Sequence, residues 1–116
     1  PESFIYDYLK NHDFGEPVSV DDLKALMDFE WIVDNPQYKY NPRLEQIKSD
    51  LLSSIKSFKD YLLRNTTENE FGRLIISDFI RRDEEKFISY KKELHKWADD
   101  ICKNYDELIR IMRASA

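Results

Sequence analysis

"DEEKFISYKKELHKWADDICKNYDELIRIMRA", residues 83–114, is the stretch whose reading decides the fold. Phe87, Tyr90, Leu94, Trp97, Ile101, Tyr105, Leu108 and Met112 recur within it every third or fourth residue, and neither Pro nor Gly interrupts them. That spacing predicts an amphipathic helix of about 30 residues, roughly 45 Å long. Asp83, Glu84 and Glu85 offer a cap and negative charge at its start, and Arg110 and Arg113 place positive charge at its end. Both ends favour the helix dipole.

Working backward, Asn41-Pro42 reads as a second helix start, with Asn41 as the cap and Pro42 at the first helical position. Leu44, Ile47, Leu51, Ile55, Phe58 and Leu62 then form a stripe, which Leu52 and Leu63 widen. Asn65-Thr66-Thr67 marks the exit. Two long helices with such seams are expected to pair antiparallel. The segment 68–82 between them carries Phe71, Leu74, Ile75, Ile76, Phe79 and Ile80. Its spacing predicts a short helix after Thr67, with an extended segment as the alternative because Ile75-Ile76 is β-branched.

Toward the N-terminus, Ser3 is the expected cap of a helix carrying Phe4, Ile5, Tyr8 and Leu9. Ser19, with Asp22 three residues on, is the expected cap of another carrying Leu23, Leu26 and Met27. Phe14-Gly15-Glu16-Pro17 is the turn between them. The fold class expected is therefore all-α: a helical bundle on two long antiparallel helices, with shorter N-terminal helices, as one domain over residues 1–116.

Composition supports this class. At 116 residues and 41% hydrophobic the chain can bury a core without staples, and two glycines are too few for a turn-dense β architecture. Its one cysteine, Cys102, excludes an internal disulfide and points to a reducing, cytoplasmic setting. No apolar run reaches the roughly 18 residues of a membrane span. The chain opens on Pro1 rather than Met, so a fragment or processed product is expected, with the remainder of a larger chain among its partners.

Charge is uneven. Residues 1–34 hold nine acids against Lys10 and Lys24, a balance of −7, which leaves +2 for the rest of the −5 total. The acidic third is expected to lie against the protein's own basic half, with a basic partner as the alternative. An acidic chain is also a poor nonspecific ligand for phosphate backbones.

The chemistry-bearing residues form no catalytic pattern. His95, Asp99 and Cys102 share a helix face but lack the fourth ligand that zinc needs. Cys102 near a seam reads as a small packed hydrophobe. Glycines only at 15 and 72 exclude a glycine-rich phosphate loop. No enzyme, cofactor or metal is expected.

Two surfaces remain. Trp31, Tyr38, Lys39 and Tyr40 lie around two Asn-Pro pairs. The aromatics are expected to latch that loop onto the helices, with a partner-binding cluster as the functional alternative. Arg81, Arg82, Lys91, Lys92 and Lys96 are the candidates for phosphate contact. Apolar residues beyond the long seam, Ile88, Ala98, Ile109 and Ile111, are to be covered by the shorter helices or by a second copy. The leading functional expectation is a non-enzymatic interaction, assembly or regulatory module binding a protein. Its setting would be a larger bacterial protein or a defence or toxin–antitoxin complex, though no motif specifies this. A nucleic-acid-binding or nuclease-accessory domain is the alternative.

Overall fold

The structure, a computed structural model, describes residues 2–35 and 42–114. It is mostly helical with a small antiparallel sheet. In chain order the elements are α1 (Glu2–Asn11), β1 (Val18–Ser19), α2 (Val20–Val33), α3 (Pro42–Arg64), β2 (Thr66–Glu68), β3 (Arg73–Ile76), α4 (Asp78–Arg81) and α5 (Glu84–Ala114). Two of the starts have visible caps. Asp83 accepts from the Lys86 amide at 3.2 Å, and Ser19 Oγ accepts from the Asp22 amide at 3.1 Å. Ser3 instead falls inside α1, which begins at Glu2, and Asn41 lies outside the described residues.

The seam between α3 and α5 forms the centre. Leu51, Ile55, Phe58 and Leu62 bury one face of α3, as their spacing predicts, whereas Leu63 stays 49% exposed. On α5 the buried line runs through Tyr90, Leu94 and Ile101 of the stripe read in the sequence, with Ala98 in place of Trp97. Phe87, Trp97, Tyr105 and Leu108 are half-buried along its edges. A bulky stripe marks a helix face, but the small Ala98 is fully buried where the neighbouring Trp97 is only half-buried. Tyr61 stacks on Tyr90 with centroids 5.8 Å apart, Asn104 donates to Ser54 Oγ at 3.0 Å, and Arg43 pairs with Glu107 at 3.6 Å.

Phe14, in the turn after α1, is the plug between the layers. Its ring meets Tyr8 of α1 (6.2 Å), Phe58 of α3 (5.3 Å) and His95 of α5 (5.0 Å) edge-on. Its own amide approaches His95 Nε2 at 3.4 Å. Beside it the Asp13 carboxylate accepts from the Gly15 amide at 2.8 Å and pairs with Lys91 at 3.2 Å. Those contacts hold its pKa below the usual carboxylate value.

The segment 68–82 departs from the predicted short helix. Only Asp78–Arg81 is helical, and a β-hairpin precedes it. β3 is the central strand, flanked by β1 and β2, both antiparallel to it. Leu74 and Ile76 point inward and Ile75 is half-buried between them, the period-two pattern of a one-sided sheet. α3 does end at Arg64, just before the exit read at Asn65-Thr66-Thr67, but in place of a short helix after Thr67 the chain forms a strand, with Thr66 and Thr67 paired to Ile76 and Ile75. The loop explains the choice: Asn69 Oδ1 accepts from the Phe71 and Arg73 amides, and Gly72 takes a φ of 71°. A side-chain-built turn ending on a left-handed glycine closes a hairpin and would break a helix.

Two stability outcomes follow from this packing. Phe14→Ala should cost about 3–5 kcal/mol in urea unfolding, as for other large aromatic truncations in cores. A Cβ on Gly72 would meet nothing within 4 Å, so Gly72→Ala tests backbone conformation alone. A loss of about 1 kcal/mol is expected, and less for Gly72→Asn, since Asn tolerates the left-handed region.

Candidate partner-binding surface

The helix α2 runs through Val33, beyond Met27 where the sequence pattern left it, and this sets the direction of Trp31. Leu26, Phe29 and Val33 recur at spacings of three and four and face the core. Met27 and Trp31, one turn apart on another side, therefore face outward. Trp31 is 75% exposed and Met27 48% exposed. This overturns the latch expected for Trp31: the indole does not cover the long helices. Tyr38, Lys39 and Tyr40, the other members of that cluster, lie outside the described residues.

Trp31 borders an open groove of about 600 Å³ between α2 and α3. From α2 and its C-cap come Met27, Glu30, Trp31 and Asp34; from α3 come Ser49, Leu52, Ser53 and Lys56. Each set has the spacing i, i+3, i+4, i+7 of a single helix face, so the groove is a furrow between two regular rods. Beside it Glu30, one of the lining residues, forms an ion pair with Lys59 of α3, with about a quarter or less of either side chain exposed. The pair fixes α2 against α3. The sequence did contain a signal for the α2 side: continuing the helical period to Asp34 aligns Met27, Trp31 and Asp34. Nothing local in α3 identifies which helix lies beside Leu52.

The other candidate residues are distributed differently. Arg81 forms an ion pair with Asp78, which Arg82 also approaches at 3.9 Å. Lys91 is held by Asp13, and Lys96 lies over the Trp97 ring at 4.9 Å. Lys92 is exposed on α5. Three of the five basic groups thus already face a carboxylate. Of the apolar excess on α5, Ala98 and Ile111 are buried within the chain, Ile109 is half-buried and Ile88 is 56% exposed. The acidic N-terminal third meets the basic remainder through Asp13–Lys91 and Glu30–Lys59. Its exposed Asp7, Asp21, Asp28 and Asp34 are left facing solvent.

The face shared by His95, Asp99 and Cys102 is divided among different neighbours. His95 serves Phe14, Asp99 is exposed, and the Cys102 thiol points to the Tyr6 carbonyl at 3.8 Å. Among the described residues no group of three or more His, Cys, Asp or Glu side chains is placed to hold a metal ion. Among them, too, no helix is long and apolar enough to cross a membrane. No protein-family model, characterised protein or solved structure matches the chain.

Burial pushes the Cys102 thiol from its ordinary 9.0 up to about 11; the Lys10 ammonium opposes this, and the Asp106, Asp99 and Asp7 carboxylates add to it. The folded chain thus binds the thiol proton more tightly than the unfolded one. The associated stability is whole below about pH 9 and is lost as pH rises toward 11. Urea midpoints measured across that window should fall less steeply in Cys102→Ala than in the natural chain. At neutral pH the native thiol should react with a disulfide reagent far more slowly than the urea-unfolded one. For Trp31, exposure predicts that Trp31→Ala shifts stability by no more than about 0.5 kcal/mol in thermal or urea unfolding.

Proposed function

We propose that this chain is a non-enzymatic helical protein-interaction module that takes a segment of a protein partner in the groove between α2 and α3. The observation that carries the reading is Trp31, 75% exposed on a regular helix beside an open furrow. Leaving an indole in water forgoes burial worth about 1.5–3 kcal/mol or more for a large apolar side chain. Trp is also the residue type most enriched at binding hot spots. Met27 beside it supplies an unbranched, adaptable side chain suited to partner surfaces.

The frame behind the groove is best read as one domain whose long helices run antiparallel. The order of contacts supports this: Tyr61 meets Tyr90, Ser54 meets Asn104 and Arg43 meets Glu107, so positions fall along α3 as they rise along α5. A frame of that kind gives the groove a rigid wall. The sole cysteine, protonated and packed, suits a reducing cytoplasmic setting.

A photo-crosslinking residue at Ser53, inside the groove, should capture a partner that the same residue at Lys92, on α5, does not. Trp31→Ala should abolish that capture while the thermal melt stays in place. Equal capture from both positions, or capture indifferent to Trp31→Ala, would sink the groove as the docking site. The nucleic-acid alternative has its own outcome. With Arg81, Arg82 and Lys91 already facing acids, filter binding to RNA and DNA should be weak and lack the steep salt slope of multiple phosphate contacts.

A further inference from the structure

We infer that the outer edge of β2 pairs antiparallel with the same edge of a second copy of this chain, about a twofold axis at Thr67. The α2–α3 groove plays no part in this contact. β2 is an edge strand with β3 on its inner side, and among the described elements it packs chiefly on β3 and α3. The Ser77 amide donates to the Asn65 carbonyl at 2.9 Å, and the Asn69 amide donates to the Arg73 carbonyl at 2.8 Å. Both pairs continue the register that sets Thr67 against Ile75. Hydrogen-bonded pairs alternate along an antiparallel ladder, so Asn65, Thr67 and Asn69 bond inward. Thr66 and Glu68 therefore turn their N–H and C=O groups outward, a ready template for another strand.

The order of the side chains selects a second copy as that strand. Residues 63–71 read LRNTTENEF. A twofold axis at Thr67 sets Thr66 opposite Glu68 of the second copy, and the reverse, so both outward-turned residues find outward-turned partners. An axis at Thr66 or at Glu68 would pair only one of them within the strand, and at Glu68 it would bring two carboxylates face to face. Counting outward from Thr67, Arg64 comes beside Glu70 of the second copy, and Leu63 beside its Phe71. Arg64 ends α3 and Glu70 lies in the hairpin loop, so these residues flank the ladder rather than form its rungs. Arg64 and Glu70 are both exposed, and neither forms an ion pair among the described residues. Leu63 is 49% exposed and Phe71 77%. Opposite charges and apolar side chains thus meet on both sides of the axis, the self-complementarity that a twofold interface requires.

Light scattering on the full chain should show a mass that rises with concentration from 14.0 kDa toward twice that. Glu68→Pro removes an outward amide that only the dimer uses, a position where an edge strand tolerates proline. It should hold the mass at 14.0 kDa while the thermal melt stays in place. Arg64→Glu or Glu70→Arg alone brings like charges together on both sides of the axis and should weaken association at least about tenfold. The two combined restore opposite charges and should bring association back to within about threefold of the natural chain. Residues facing each other at the axis form a non-hydrogen-bonded pair with Cα atoms about 4.5 Å apart, within disulfide reach. Thr67→Cys should therefore crosslink in air far faster than Ser89→Cys, which is exposed on α5.

A mass of 14.0 kDa at every concentration up to about 1 mM, where even a weak dimer shows, would overturn the inference. A dimer that ignores both Glu68→Pro and the charge reversals would overturn it too, and its loss in Trp31→Ala would put the second copy in the α2–α3 groove instead. Thr67→Cys that crosslinks no faster than Ser89→Cys would exclude the axis at Thr67. Where Glu68→Pro lowers the melt, the charge reversals decide: single reversals that weaken the dimer without rescuing each other in combination would overturn the register.

Discussion

Leu51, Ile55, Phe58 and Leu62 on α3, and Tyr90, Leu94, Ala98 and Ile101 on α5, remove their faces from water together, and the other elements are placed by what this seam leaves uncovered. With 31 residues, α5 is about 46 Å long, most of the 50 Å length of the molecule. It can therefore offer side surface to α1 and α4 while α3 occupies its centre. By contrast α2 packs chiefly on α1, α3 and β1, and reaches α5 through the edge contact of Phe29 with Tyr105. A helix held from one flank can bury only the stripe Leu26, Phe29 and Val33. Its other side is open for the same reason that its inner side is fixed.

The long elements were legible because their apolar residues repeat over many turns, and a period sustained that long has few other solutions. Pro42 and Asp83 mark the starts of α3 and α5 in the sequence, and Ser19 marks that of α2. The hairpin was obscured because Phe71, Leu74, Ile75 and Phe79 match helical spacing by coincidence of two short elements placed end to end. Its true signals were local and few: Asn69 and Gly72 three residues apart, the paired Thr66-Thr67, and Ile75-Ile76. β1 spans only Val18–Ser19, too short for any period, and exists because β3 offers it an edge. Tertiary pairing, not propensity, makes that strand.

The groove was half legible. Trp31 stood out by composition, but whether it faced the core depended on where α2 ends. Ending the helix near Met27 leaves Trp31 in a loop free to fold back, whereas continuing it through Val33 turns the indole outward by helical phase. The deciding residue is Val33, which is buried and so keeps α2 winding onto the core for another turn. Leu52 and Ser53 were legible only as the edge of a stripe, because membership in a furrow is a property of two helices at once.

On the proposed reading, what makes such a furrow useful is that it is held open before any partner arrives. α2 is fixed near its start by the Ser19 cap and by the Val20 amide bonding to the Gly72 carbonyl at 2.8 Å. Farther along, the Glu30–Lys59 pair fixes it to α3. Both partners of that pair are largely withdrawn from water, so breaking one would strand the other, and sliding α2 along α3 would break both. A wall restrained at both places spends little conformational entropy on binding, so the apolar contact of Met27 and Trp31 can appear as affinity rather than being consumed in ordering the site.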